Sequence, residues 1–578
     1  MPLQSSASRL YGRPRRRRRR TAPLIAFLVL VLVIGGGVAT GLVLHQRSDE
    51  RARRLESAAE ATVTAWIGAE SRAGATAATA TAAATAMAAQ ATPATRAAAQ
   101  QWLAAQLPGL RLTSLAVVAG PVASTGATPG ADYTATAVLS GLGTWAWKGH
   151  LPLVRDGAAW GVDWSPTVFH PQLAAGARLE RVRMLGKRGT VTLADGSAMA
   201  GDTELSDNLL GSTAKLTAAQ LAGRDTHLQA GDVGGSTGLE RVFDNVLAGA
   251  PGGAVTAVSS TGASTTLVSF GRKDGADVKT TLDASVQRAG EKTFVGTAKP
   301  AHLAALDWKT GQVLALVDNP VGGYAGAIRG QYPPGSTFKI ITTSAALIAG
   351  VSAGQTLTCG PTQTVDGRPF KNAEAESFGA IDFATAFAKS CNTWFVQLAQ
   401  KVPAATLTST AQLFGFATAP GGAAGILPIT SFGGSYPPPR DLAQAAGQAI
   451  GQDQVLASPL QMASVAAAVA SGTWTQPHVT ADAKAVSHPL PAGVADTLRR
   501  FMGGVVAPGG TAAGARLPAG TYGKTGTAEV GGAGTATDAW FVAVHGSVAV
   551  AVEVDGGGFG GDVAAPLAAR FLQSLGSR

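Results

Sequence analysis

Cysteine is almost missing: two residues in 578 exclude a disulfide-stapled scaffold and a four-thiolate zinc site. Charge is scarce as well. Only 14% of residues are Asp, Glu, Lys or Arg, against about 25% in an average soluble chain, and aromatics make up 6%. A hydrophobic fraction of 46% still leaves enough apolar side chains for several cores, which excludes disorder of the chain as a whole. Small residues are what the chain has in excess, with 74 glycines, and that skew names no activity. The length has room for roughly three to four domains of 100–200 residues.

A formal net charge of +10 suggests nucleic acid until the charges are located. Arg9, Arg13 and Arg15 to Arg20 supply eight of those ten charges in a stretch without any acid, leaving about +2 for the rest of the chain. The basicity is a cap on the N-terminus and not a binding face, so no nucleic-acid partner is expected. Behind it, Thr21 to Leu44 carries no charged side chain. A helix over that stretch spans about 36 Å, more than the roughly 30 Å hydrocarbon core of a bilayer. The pattern predicts a basic cytoplasmic tail over 1–21 and a retained single-pass membrane anchor over 22–44, with the remainder extracytoplasmic. A cleaved signal peptide would instead carry a shorter apolar region and an A-x-A-like site.

Residues 50–165 open with an Ala- and Thr-rich stretch. Val63, Trp66, Met87, Trp102 and Leu103 fall at helical spacing there and predict two or three short helices, the alternative being a low-complexity linker. Strand-like runs at 111–118, 133–139, 144–154 and 158–164 follow, with Trp145, Trp147, Trp160 and Trp164 assigned to a core between helices and an antiparallel sheet. Residues 170–280 mix short strands (190–193) with one helix over 239–247 and hold no constellation of titratable groups. A spacer or interaction module is the expectation. Residues 281–578 start with a hairpin, 303–306 and 313–317, around Lys309-Thr310-Gly311. Helical patterns after Ser336, over 383–398 and over 460–470 come next. Strands at 540–544 and 548–554 and a helix over 566–575 complete a sheet framed by helices.

Chemistry gathers in this last stretch. Pro333-Pro334-Gly335-Ser336-Thr337-Phe338-Lys339 delivers a serine near the start of a helix, with a lysine three residues on and on the same face. A serine hydroxyl is a weak nucleophile unless a base takes its proton, and a desolvated lysine can be neutral enough to do so. Ser390-Cys391-Asn392, inside the 383–398 helical pattern, adds a hydroxyl to relay a proton and an amide to orient a lysine or a carbonyl. In Lys524-Thr525-Gly526-Thr527, running into a strand, Lys524 adds positive potential and Thr525 and Thr527 offer hydroxyls to a carboxylate. Gly526 leaves room for a substrate backbone. A phosphate loop is excluded, because no Gly-x-x-x-x-Gly precedes Lys524. Each string alone is weak; their order and spacing together are not.

The trio resembles the penicillin-recognising serine transpeptidase and β-lactamase superfamily. Thr280-Thr-Leu-Asp-Ala-Ser-Val-Gln, Ser458-Pro-Leu-Gln-Met-Ala and Trp540-Phe are similar to penicillin-binding proteins in particular. Residues 50–165, ending Val162-Asp-Trp-Ser-Pro, resemble the nuclear-transport-factor-2-like domain of the methicillin-resistance type. Residues 170–280, with Thr237-Gly-Leu-Glu-Arg, resemble the pedestal or dimerisation domain, and 281–578 the transpeptidase domain. The resemblance implies a multidomain α+β, class B (monofunctional) penicillin-binding protein that cross-links peptidoglycan stem peptides ending in D-Ala-D-Ala. Ser336 is then the nucleophile, Lys339 the general base, and Ser390 with Lys524 the proton relay. Asn392 completes the catalytic set, while Thr525, Gly526 and Thr527 bind substrate. Backbone N–H groups of Ser336 and Thr527 form the oxyanion hole. β-Lactams acylate the same serine, cell-wall synthesis proteins are partners, and no cofactor or metal is required.

The competing readings are a serine β-lactamase and a non-catalytic β-lactam sensor or cell-wall scaffold. No segment matches a deacylating glutamate, and Glu374 and Glu376 are assigned to a solvated loop. Cys359 and Cys391 either pair or remain two buried thiols, a choice that their Cα separation decides. The histidines, among them His150, His170, His227, His302, His478 and His488, show no ligand spacing.

Overall fold

The computed structural model describes residues 42–70, 77–157, 159–322, 324–418, 426–530 and 536–576. The basic tail and, but for residues 42–44, the expected anchor lie outside the described residues. Among those described, no helix is long and apolar enough to cross a membrane. The chain forms two compact units: residues up to Val182 with Ala254–Ser269, and Arg183–Gly253 with Phe270 onwards.

The first unit begins with three helices, α1 (Leu42–Glu70), α2 (Ala77–Ala89) and α3 (Arg96–Leu110). Ala59, Val63 and Trp66 form a buried stripe along α1 at helical spacing, so the Ala- and Thr-rich stretch folds by packing and is not a linker. In α3 Ala99, Leu103, Leu107 and Leu110 face inward, and Arg111 closes the helix in the left-handed region at φ 51°. Pro108 sits inside this last turn and does not end the helix ahead of it. Strands β1 (Leu112–Ala123), β2 (Gly130–Leu139), β3 (Gly143–Asp156) and β4 (Ala159–Val162) form an antiparallel sheet in chain order. Trp145 and Trp147 are buried with ring centroids 4.3 Å apart, whereas Trp160 is only half-buried. Tyr133 Oη and Trp147 Nε1 both donate to the Phe169 carbonyl, at 2.8 and 2.6 Å, which satisfies their polar ends inside the core. A further three-stranded sheet has the order β7 (Ser264–Phe270), β6 (Gly252–Val258), β5 (Arg178–Met184).

In the second unit the helix expected over 239–247 is two pieces, Gly238–Val242 and Asp244–Leu247, broken at Phe243. Tertiary contacts override local propensity here. The Asp244 carboxylate is held by Gly235 N–H and Arg188 Nη1, both at 2.8 Å.

Helix α4 (Ala284–Thr293) precedes the hairpin β8 (Ala301–Asp307) and β9 (Val313–Asn319). With the C-terminal strands β10 (Tyr522–Glu529), β11 (Thr537–His545) and β12 (Val548–Val554) they build a five-stranded antiparallel sheet, order β9-β8-β12-β11-β10. These strands are almost continuously apolar because both faces are covered. Gly290 of α4 sits against Leu303 and Val317 on one face. By strand alternation the even-numbered neighbours, His302 and Asp318, point to the other face. Helices α5 (Lys339–Ile348), α6 (Phe383–Ala388), α7 (Asn392–Ala399), α8 (Pro459–Ser471), α9 (Val494–Val506) and α10 (Ala564–Ser574) are among the other helices of this unit.

Candidate active site

Ser336 lies in a 3₁₀ turn, Gly335–Phe338, that leads directly into α5. Gly335 has φ 51°, and a Cβ there would come within 2.8 Å of the Thr527 carbonyl oxygen, so only glycine lets the nucleophile loop approach β10 this closely. Its N–H donates to the Gly451 carbonyl at 3.0 Å, and Thr337 Oγ1 donates to the Pro334 carbonyl at 2.6 Å.

The second motif does not lie within one helix, contrary to the expectation from its apolar periodicity. The chain leaves the helix after Ala388 and re-enters it at Asn392. Ser390 is left-handed at φ 58°, a conformation costing of order 1–3 kcal/mol for a residue with a side chain. Cys391, the next residue, is joined to Cys359 by a disulfide with a Cα separation of 6.2 Å, which settles the choice left open by the sequence. With the partners 32 positions apart in the chain, the chain-entropy contribution is about 3–4 kcal/mol. Buried Asn372 secures the segment further, donating to the Gly360 and Glu376 carbonyls at 2.8 Å and accepting from Thr393 N–H at 3.0 Å. The break turns Ser390 and Asn392 towards Lys339.

Lys339 is wholly buried. Its Nζ is 2.7 Å from the Ser390 carbonyl, 2.7 Å from Asn392 Oδ1, 2.9 Å from Ser336 Oγ and 3.3 Å from Ser390 Oγ. A neutral amine has two N–H donors and one lone pair. The two shortest contacts take the donors, and the lone pair is left for the Ser336 O–H. Burial, then the neighbouring Lys524, holds Lys339 well below the usual lysine range. Lys524, also wholly buried, donates to Ser390 Oγ at 2.8 Å, and burial lowers it to about 7. Each lysine nitrogen faces an aromatic ring, Lys339 over Phe395 at 5.1 Å and Lys524 over Phe387 at 5.6 Å. Ser336, Lys339, Ser390 and Lys524 thus form one continuous chain of proton-transfer distances.

Gly526 has a different local role from the one expected. A Cβ at this position would meet Trp540 Cβ at 2.8 Å and Pro334 O and Thr337 Cγ2 at 2.9 Å, so the missing side chain lets β10 pack on the nucleophile loop. Alternation along β10 puts Thr525 and Thr527 on the face opposite Gly526. Thr525 Oγ1 shares a 2.6 Å hydrogen bond with Thr511 Oγ1, and Thr527 Oγ1 accepts from Gly560 N–H at 3.3 Å. Thr511 stands outside the three motifs, and its signal in the sequence is the Gly509-Gly510-Thr511 string ahead of the third. Glu374 and Glu376 are exposed, in agreement with their assignment to a solvated loop.

His302 was set aside for want of ligand spacing, yet it has partners across the strands. Its Nδ1 is 2.6 Å from Asp318 Oδ1, and its Nε2 accepts from Tyr332 Oη at 2.9 Å. Tyr332 stands four residues before Ser336 and stacks on the imidazole at 5.5 Å.

Three family models match the chain: the penicillin binding protein transpeptidase domain over residues 302–573, the penicillin-binding protein dimerisation domain over 197–280, and the NTF2-like N-terminal transpeptidase domain over 72–177. The chain is 31% identical over 366 residues to the peptidoglycan D,D-transpeptidase PbpA of Mycobacterium tuberculosis, covering 52% of this chain and 72% of the relative. It is 32% identical to PbpA of Mycolicibacterium smegmatis over 408 residues, 57% and 78% of the two chains. Among solved structures, the complex of PBP2 and MreC from Helicobacter pylori matches with a TM-score of 0.61 at 17% identity, covering 69% of this chain and 99% of that one, a likeness of fold. The ceftriaxone acyl-enzyme of penicillin-binding protein A from M. tuberculosis matches with a TM-score of 0.52 at 25% identity, covering 67% and 98%.

Proposed function

The chain belongs to the class B penicillin-binding proteins, with an NTF2-like N-terminal domain, and from that premise we propose how its residues carry out peptidoglycan D,D-transpeptidation. The protein is a serine-type D,D-transpeptidase. Ser336 Oγ attacks the carbonyl of the penultimate D-alanine of a stem peptide while Lys339 Nζ takes its proton. The peptide C–N bond breaks, and the departing D-alanine amine receives a proton through Ser390 and Lys524. An amine of a second stem peptide then attacks the acyl-serine and releases the enzyme with the cross-link formed. Asn392 keeps Lys339 aimed, and backbone N–H groups of Ser336 and Thr527 receive the oxyanion. Thr525 and Thr527 line the carboxylate end of the substrate, with Gly526 holding their strand against the nucleophile loop.

One observation carries this reading: a wholly buried lysine, with both donors engaged, stands 2.9 Å from the serine oxygen. Serine and lysine supply nucleophile and base without a cofactor. The ceftriaxone acyl-enzyme of the M. tuberculosis relative supports β-lactams as acylating mimics of D-Ala-D-Ala. The exposure of Glu374 and Glu376 favours slow hydrolysis of that adduct over β-lactamase turnover. We place a basic cytoplasmic tail at 1–21, a membrane anchor at 22–44, the NTF2-like domain at 50–165, the pedestal at 170–280 and the transpeptidase domain at 281–578, outside the cytoplasm. Proteins of a cell-wall synthesis complex are the partner class, as the PBP2–MreC complex of the H. pylori relative suggests.

The test is D-alanine release from a stem pentapeptide ending in D-Ala-D-Ala. Wild type releases it and Ser336→Ala does not; equal release by both contradicts the assignment.

A further inference from the structure

The row of paired residues that crosses the five-stranded sheet does not end at the lysine site. Strand register places Asp318, His302, Glu553, Trp540 and Gly526 side by side, from β9 through to β10. Asp555 follows directly on the last residue of β12. A ring nitrogen of His302, a Glu553 carboxylate oxygen and an Asp555 carboxylate oxygen all lie within 4.8 Å of one another. His302 Nε2 is 4.0 Å from Glu553 Oε2.

Glu553 is wholly buried, and no N–H or hydroxyl group of the described residues donates to either of its carboxylate oxygens, its side-chain neighbour being the Asp555 carboxyl; Asp555 Oδ1 is buried without such a donor as well. Buried polar atoms are paired in the great majority of cases, so three acceptors left over at one point mark a place where a ligand is owed. Among the described residues no lysine or arginine forms an ion pair with either carboxylate; Lys299 reaches only the Gly556 carbonyl. A divalent cation would satisfy all three oxygens at once. The imidazole is already set for one. Its Nδ1–H donates to Asp318, itself fixed by Ala327 N–H at 2.7 Å and Asn208 Nδ2 at 3.0 Å, so the lone pair is on Nε2, where Tyr332 Oη meets it at 2.9 Å and Glu553 Oε2 stands 4.0 Å away. A carboxylate behind a ligating histidine is the usual outer-shell arrangement of a zinc site. Asp555 is only half-buried and gives the ion a route from solvent.

We propose that His302, Glu553 and Asp555 form a structural site for a divalent metal ion, zinc by donor chemistry, beneath the segment that carries the nucleophile. One imidazole nitrogen and two carboxylates are an N,O,O donor set that suits zinc, whereas magnesium and calcium prefer oxygen alone. The Tyr332 hydroxyl occupies Nε2 in the absence of metal and turns away when the ion binds. Since Tyr332 packs on His302 four residues before Ser336, the ion braces the floor under the nucleophile loop and takes no part in the acyl transfer.

The test is equilibrium dialysis of the purified full chain against micromolar zinc, with bound metal counted by mass spectrometry and the thermal midpoint recorded. Wild type is expected to retain one zinc per chain and to melt higher with it, and magnesium is expected to do neither. Glu553→Gln and Asp555→Asn should each lose at least tenfold in affinity, and Asp318→Asn about 10–100-fold. Tyr332→Phe, which removes the competing donor, should bind zinc at least as tightly as wild type. Uptake of benzylpenicillin by each variant reports that it is folded. Absence of retained zinc in the wild type, or equal retention by wild type and folded Glu553→Gln, overturns the proposal.

Discussion

Two buried clusters share one face of the catalytic sheet and treat charge in opposite ways. At the β10 edge, Lys339 and Lys524 are wholly buried, yet each nitrogen is met by oxygens from Ser390, Asn392 or the backbone. Towards β8 and β9, Glu553 is buried just as deeply with neither oxygen satisfied. Burial suppresses charge in both: it lowers the two lysines, and it raises Glu553 well above the usual carboxylate range, with Asp555 and Asp538 adding to the effect. Hydrogen bonding makes the difference. A buried amine with its donors engaged presents a lone pair and is a base; a buried carboxylate without donors is an incomplete site.

Breaking the lysine side gives the largest effect. Lys339→Met, which keeps the volume and removes the lone pair, should slow acylation by benzylpenicillin about 10²–10⁴-fold, as for loss of a general base. Stopped-flow or quenched mass measurements check it, with circular dichroism confirming the fold. Gly526→Ala attacks the contact between the two clusters. Its new methyl collides with Trp540, Pro334 and Thr337, which should cost about 1–3 kcal/mol in denaturant unfolding and slow acylation as β10 moves off the nucleophile loop.

A pH series sharpens the comparison further. Lys524 has its folded value lowered from 10.5 to about 7, so between those values the unfolded chain binds more protons than the folded one. Stability should therefore rise with pH across that window, by at most about 1.4 kcal/mol per pH unit from this group, and Lys524→Met should flatten the slope. The smallest effect belongs to the carboxylate side. In buffer containing EDTA, Glu553→Gln should leave stability within about 1 kcal/mol of wild type or raise it, because a buried carboxyl that no donor satisfies contributes nothing favourable to folding. A loss of several kcal/mol would show that Glu553 has a protein partner after all.

The legibility of each part in the sequence follows from how local its causes are. Ser336 and Lys339 are three residues apart on one helical turn, so their meeting is readable from spacing alone. The Ala- and Thr-rich helices, the hairpin of β8 and β9 and the terminal strands were also readable, since each is written in a single periodic stretch. The break at Ser390 was not. Its left-handed backbone is maintained by a disulfide to Cys359 and by Asn372, both distant in the chain, while the local apolar period argues for an unbroken helix. Gly526 was read as room for substrate because its real neighbours, Pro334 and Thr337, come from another motif. His302 was dismissed for the same reason. Its partners Asp318, Tyr332 and Glu553 come together only through strand pairing and the loop that follows β9.

The most direct test of the central claim is the intact mass of the protein followed for hours with benzylpenicillin. A single stable adduct mapping to Ser336, and absent from Ser336→Ala, is the predicted result. Return to the free mass within minutes as the drug is consumed, or an adduct on any other residue, would contradict it.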